Sequence, residues 1–188
     1  HPPATQADPI LLPVTSTLFA DRAERFASLA RQHSLGDWLN FLADLSRAQH
    51  EVLQGLPSLQ LPDARTLEQA RTHAMPPLNA SSLPRPAAWR LALQQLVQRL
   101  QETAPESGQA ALTALLAASE SELEALADML LKGEPDVARA AELPFVAAAL
   151  QIVFTQLASQ LETGHLHKLD APGVCPCCGS LPVASVVR

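Results

Sequence analysis

The sequence predicts a mainly α-helical protein: an N-terminal multi-helix bundle, then the start of a small rubredoxin-like or zinc-ribbon metal module that is cut short. Three observations predict it. Hydrophobic residues make up 47% of the 188, mostly Ala and Leu, while aromatics reach only 4% and Tyr is absent, a composition that favours helices over β-sandwiches. Apolar residues recur at helical spacing from about residue 17 to Gly164, punctuated by Pro and Gly. All three cysteines lie between Cys175 and Cys178, which excludes a disulfide framework spread along the chain. The expected division is an extended arm (1–16), an all-α domain (17–170), and the first knuckle and strand of a metal module (171–188).

The elements follow in order. Residues 1 to 15 are Pro-rich and aperiodic, an arm whose Ile10, Leu11, Leu12 and Val14 are expected to lie on the domain that follows. Ser16 or Thr17 caps a helix over 18–33 with Leu18, Ala23, Phe26, Ala27 and Ala30 as its apolar stripe, leaving Asp21, Arg22, Glu24, Arg25 and Arg31 wet. A second helix spans 37–54, carries Trp38, Phe41, Leu42, Leu45, Val52 and Leu53 at helical spacing, and is ended by Gly55 and Pro57. Residues 58–86 hold five prolines and form a long connection with room for one short helix over 65–73.

Pro86 opens the next helix, with Trp89, Leu93, Leu96, Val97 and Leu100. Pro105 and Gly108 separate it from a helix over 109–118. Ser119 and Glu122 have the spacing of a capping box for a helix that ends at Gly133. Pro144 marks the first turn of the last helix, 145–162, which is apolar around most of its circumference, as a central helix is. Both Trp38 and Trp89 are expected in the core.

With 13 Lys+Arg against 19 Asp+Glu, the net charge is −6, and no basic run is present. Binding to nucleic acid through phosphates needs a basic face, so this class of partner is excluded. The N-terminus lacks the basic start and apolar run of a signal peptide. The most apolar stretch, 143–154, is shorter than the roughly 20 residues a membrane span needs. The expectation is a cytoplasmic protein whose thiols stay reduced. Because it starts at His1, the chain is expected to be processed or to lack its earliest residues.

Chemistry concentrates in one motif. After turn-forming Asp170-Ala171-Pro172-Gly173 comes Val174-Cys175-Pro176-Cys177-Cys178-Gly179-Ser180, followed by β-prone Val183 to Val187. A Cys-x-x-Cys in a turn closed by Gly brings two thiolates together, with backbone N–H groups free to donate to sulfur, which suits zinc or iron. Three readings compete: half of a four-cysteine site, with Cys175 and Cys178 as ligands and Cys177 turned away; a redox dithiol; or ordinary buried thiols. The dithiol reading wants a βαβ setting, whereas helices precede this motif. His165 and His167, just past the last helix, suit the helix dipole better than a mixed Cys/His site. His33, His50 and His73 are dispersed and form no triad with a nucleophile, and Glu120, Glu122 and Glu124 read as a solvated helix start.

Two segments carry a family resemblance: Asp8 to Leu53, with ILLP and LFADRAERFASLARQHSLGDWLNFLADLSRAQ, and Pro144 to Arg188, with PFVAAALQIVFTQLASQL and LDAPGVCPCCGSLPVASVVR. They resemble the FdhE family of formate dehydrogenase accessory proteins; residues 56–142 match in helical character alone. The resemblance implies a helical domain followed by two rubredoxin-like modules holding iron or zinc on four cysteines. It also implies a non-enzymatic, cytoplasmic role in binding the catalytic subunit of formate dehydrogenase. Only the first Cys-x-x-Cys is present, so the remaining ligands are expected beyond Arg188. The rivals from other classes are a zinc-ribbon adaptor of transcription or translation, and a thiol redox protein.

Overall fold

The computed structural model describes residues 10–134, 136–166, 169 and 173–181, and among these the regular structure is helical, with no strand. Seven α-helices succeed one another: α1 (Leu18–Ala30), α2 (Gly36–Gly55), α3 (Ala64–Thr72), α4 (Ala88–Leu100), α5 (Glu106–Ala117), α6 (Glu120–Lys132) and α7 (Leu143–Ser159). Single 3₁₀ turns, Val137–Arg139 and Thr163–His165, flank α7. The arrangement is the mainly α bundle that composition and periodicity predict.

Packing follows from how apolar each helix is around its axis. Helix α7 buries Phe145, Val146, Ala149, Ile152, Val153 and Leu157 on several faces, and it contacts α2, α4 and α6 at once. Helices α1 and α2 pair closely as a hairpin that lies on this centre. Trp89, Leu96 and Val97 of α4 are fully buried, as are Val52 of α2 and Ile152 of α7. Burying each such side chain stabilises the fold by about 1.5–3 kcal/mol relative to leaving it in water. One buried polar link joins the helices: Gln49 Nε2 of α2 donates to the Ala148 carbonyl at 3.0 Å and to Gln151 Oε1 at 3.2 Å.

Several local expectations hold for the stated reason. Ser119 and Glu122 form the capping box, with the Ser119 N–H donating to Glu122 Oε2 at 2.8 Å and the Glu122 N–H to Ser119 Oγ at 3.3 Å. Gly133, at φ +71°, ends α6 in the left-handed region that Gly enters without steric cost. The short helix in the long connection is α3, capped by Asp63, whose carboxylate accepts from the Thr66 N–H at 2.8 Å.

Other expectations need correction. Thr17 occupies the N-cap position of α1 but makes no side-chain cap bond; the N–H groups of Thr17 and Leu18 turn back to the Val14 carbonyl instead. In α1, Ala23 and Ala30 are buried as expected, but the stripe is rotated toward Phe19, which is fully buried while Leu18, Phe26 and Ala27 are half-buried. That rotation makes Arg22 an interface residue: its guanidinium sits 5.0 Å above the Phe19 ring and donates to Gln151 Oε1 at 3.1 Å. Helix α1 stops at Ala30 because Arg31 turns extended and Gln32 enters the left-handed region at φ 61°. Helix α5 starts at Glu106, directly after Pro105, and Gly108 lies inside its first turn. Helix α7 ends at Ser159, short of the expected Glu162.

Trp38 is the clearest miss in the core. It is 48% exposed, resting against Phe41 with ring centroids 5.5 Å apart, whereas Trp89 is wholly buried as expected. In the arm, Ile10 and Leu12 pack against the core, whereas Leu11 and Val14 face solvent.

Candidate metal centre

The cysteine turn is built by two backbone bonds that close it on itself. The Cys175 N–H donates to the Ser180 carbonyl and the Gly179 N–H to the Cys175 carbonyl, both at 2.8 Å. Gly179 takes φ +76°, a conformation in which a Cβ is strained, so the Gly after Cys178 is what lets the chain double back here. The result brings three half-buried sulfurs together within four residues.

The Cys175 sulfur is the acceptor of the group. The thiols of Cys177 and Cys178 donate to it and, against the opposing effect of burial, so do the backbone N–H groups of Cys178 and Cys177, holding the Cys175 thiol far below its ordinary range. Cys178 goes the other way: its donation to Cys175 and its burial push the thiol up, partly offset by the hydroxyl and N–H of Ser180. The Cys178 Sγ to Ser180 Oγ distance is 3.0 Å. The Cys177 thiol is raised by the adjacent Cys175 sulfur, by burial and by the neighbouring charge. Backbone N–H groups aimed at sulfur are the environment that a metal-bound thiolate requires.

The turn sets the thiols of Cys175 and Cys178 beside each other, the residue types that bind zinc or iron. Cys175 and Cys178 share one turn with N–H support, and among the described residues no group of three or more His, Cys, Asp and Glu could hold a metal ion. His167, Asp170 to Pro172 and the expected strand through 183–187 lie outside the described residues. His165 is the last residue of the second 3₁₀ turn, which the Leu166 N–H closes on the Thr163 carbonyl at 3.1 Å.

The long connection before α4 supplies something the sequence reading missed. The N–H of Leu78 donates to the Cys177 carbonyl at 2.8 Å and that of Ala80 to the Cys178 carbonyl at 3.2 Å. Leu78 is fully buried and Pro77 is buried, so the segment that receives the cysteine turn is anchored in the helical core. The sequence did hold a signal: Pro76-Pro77 imposes extended backbone, and the residue that follows keeps an N–H with no helical acceptor.

Further along, Glu124 overturns its solvated reading. It accepts from Arg85 Nε at 2.9 Å, from Trp89 Nε1 at 2.9 Å and from Arg90, while Arg85 also reaches Asp128. Burial alone would push the Glu124 carboxyl up, but the bonds from Trp89, Arg85 and Arg90 outweigh it and hold it below the usual range. These contacts clamp α6 to α4 and to the end of the long connection. Glu122 serves the capping box, and Glu120 lies on the rim, 3.1 Å from Arg90.

Fold and site together define a class: a helical scaffold that carries a cysteine turn seated on one of its own connections. The family model described as "FdhE, N-terminal" matches residues 7–170, and the chain belongs to the FdhE family. Among similar proteins, the FdhE homolog of Pseudomonas aeruginosa is 37% identical over 185 residues, which is 98% of this chain and 60% of that protein. The FdhE homolog of Serratia proteamaculans is 38% identical, over 96% of this chain and 58% of that protein. The crystal structure of the FdhE protein from Pseudomonas aeruginosa superposes with a TM-score of 0.80 at 37% identity, covering 93% of this chain and 61% of that one. The chain therefore spans about three fifths of the length of the relatives it matches. Among the described residues, no helix is long and apolar enough to cross a membrane.

Proposed function

We propose that this chain is the helical part of a formate dehydrogenase accessory protein, a cytoplasmic binding protein with no reaction of its own. The helical domain offers the docking surface for the catalytic subunit of formate dehydrogenase, and Cys175 and Cys178 supply half of a four-cysteine site for iron or zinc. The observation that carries this reading is membership of the FdhE family through residues 7–170, joined to a cysteine turn whose backbone N–H groups face sulfur. Bound there, zinc would cross-link the turn to further ligands, and iron would add a one-electron couple. The residues of this chain contribute orientation: Gly179 reverses the backbone, and Ser180 holds the Cys178 sulfur by hydroxyl and N–H.

The test is retention of the purified catalytic subunit by the immobilised chain, with a full-length relative alongside. Retention by both is expected, since the helical domain is the docking surface in this reading. A full-length relative that retains the subunit while this chain does not would move docking to the part the chain lacks, and loss with both would overturn the accessory role.

A further inference from the structure

We propose that the Pro76–Ala80 segment is a positioning seat that holds Cys175 and Cys178 in ligand geometry and ties the state of the cysteine turn to the helical core. As a statement about a metal site this rests on the reading above; as a statement about the thiols it stands on its own. The seat meets the turn at three points. Leu78 and Ala80 donate to the carbonyls of Cys177 and Cys178 at 2.8 and 3.2 Å. Gly179 packs on Pro76 so closely that a Cβ at this position would lie 3.2 Å from Pro76 Cγ.

The seat is itself held. Leu78 is wholly buried, the Met75 N–H donates to the Ala70 carbonyl of α3 at 2.8 Å, and the N–H groups of Ser82 and Leu83 close back on the Asn79 carbonyl. Cys177 and Cys178 also pack against the hydrophobic core. The Cys177 carbonyl shares its peptide with the Cys178 N–H, which faces the Cys175 sulfur, and the Cys178 carbonyl shares its peptide with the Gly179 N–H, which donates to the Cys175 carbonyl; engaged from outside, both peptides keep that orientation. Drawing the two sulfurs onto an ion restrains the same peptides. Coupling of this kind is reciprocal: whatever factor the seat adds to ion affinity, the ion adds to the seat.

Two variants of the whole chain test this, Ala80→Pro, which removes one seat donor, and Gly179→Val, which pushes the turn off Pro76. The readouts are the alkylation rate of each cysteine by mass spectrometry and the affinity for Zn²⁺ in competition with a chromogenic chelator. Both variants are expected to alkylate Cys177 and Cys178 about tenfold faster and to bind Zn²⁺ about tenfold more weakly, with the helical signal and thermal midpoint of the parent chain. Unchanged alkylation in folded variants overturns the seat. Should Ala80→Pro fail to fold, amide exchange in the parent chain decides: slow exchange at Leu78 and Ala80, slowed further by Zn²⁺, supports the seat, and exchange at the rate of an open loop overturns it. A chain that binds no Zn²⁺ but shows both the alkylation and the exchange pattern keeps the seat and overturns its coupling to ion affinity in this chain.

Discussion

The helical core and the seated cysteine turn are held by different forces. Trp89, Leu96, Val146 and Ile152 are buried because water rejects them, and each touches neighbours from several helices, so the core stands or falls as one unit. The cysteine turn adds only half-buried thiols and meets the body through two backbone hydrogen bonds, one Pro–Gly contact and the partial packing of Cys177 and Cys178 on the core. A net backbone hydrogen bond contributes about 0.5–1.5 kcal/mol. The turn can therefore open while the bundle stays folded, and opening there is a local event rather than global unfolding.

Substitutions sharpen this contrast. Trp89→Ala has the largest expected effect, about 3–5 kcal/mol of lost stability, because a fully buried ring is removed and Glu124 loses a donor. Urea unfolding followed by circular dichroism should show one earlier transition for the whole bundle; a separate early transition with the rest intact would mean that the core is not a single unit. Leu78→Ala is expected to cost about 2–5 kcal/mol and also to speed alkylation of Cys177 and Cys178, since this residue belongs to both regions. Lost stability without faster alkylation would separate the seat from the core.

The next effect depends on pH. In the folded chain the carboxyls of Glu124 and Asp128 are held below their ordinary values, Glu124 by Trp89, Arg85 and Arg90 against the cost of burial, and Asp128 chiefly by Arg85. The unfolded chain then takes up protons first as pH falls. Their contribution is present above the unfolded carboxylate range, about 4, and is lost as pH drops through the depressed folded values. Urea midpoints should be level from neutral pH down to about 5 and decline below about 4, and Glu124→Gln should start lower and decline less. An equally steep decline in the variant would remove Glu124 from the explanation. The smallest expected effect is that of Ser119→Ala, about 1 kcal/mol from loss of the capping box, with cysteine alkylation unchanged because, among the described residues, no hydrogen bond joins α6 to the turn.

The elements with strong local signals were legible in the sequence. Ser119, Glu122 and Gly133 bracket α6 as their spacing predicts, Pro144 lies in the first turn of α7, and the apolar run of α7 is central because no other position buries all of its faces. Features that depend on what lies opposite were not legible. The burial of Phe19 and the exposure of Trp38 follow from the rotation of α1 and α2 against each other and against α7, which helical periodicity leaves free within about one residue. Glu124 looked like one more acid in a wet helix start because its three donors come from Arg85, Trp89 and Arg90, more than 30 residues away.

At the candidate site, Cys-Pro-x-Cys-Gly announced a thiolate turn by itself, since the reversal needs Gly at positive φ and the donors to sulfur lie within the same few residues. The seat showed only as extended backbone at Pro76-Pro77, with nothing to say what it receives. Its groups are backbone N–H groups of Leu78 and Ala80, and every residue but Pro carries such a donor, so nothing in residue identity marks the two that are used. The sequence by itself thus determined what depends on neighbours in the chain: the helices, their caps and the cysteine turn. Tertiary structure alone decided which face of each helix is buried and where the turn is docked, because those outcomes rest on contacts between residues far apart in the chain.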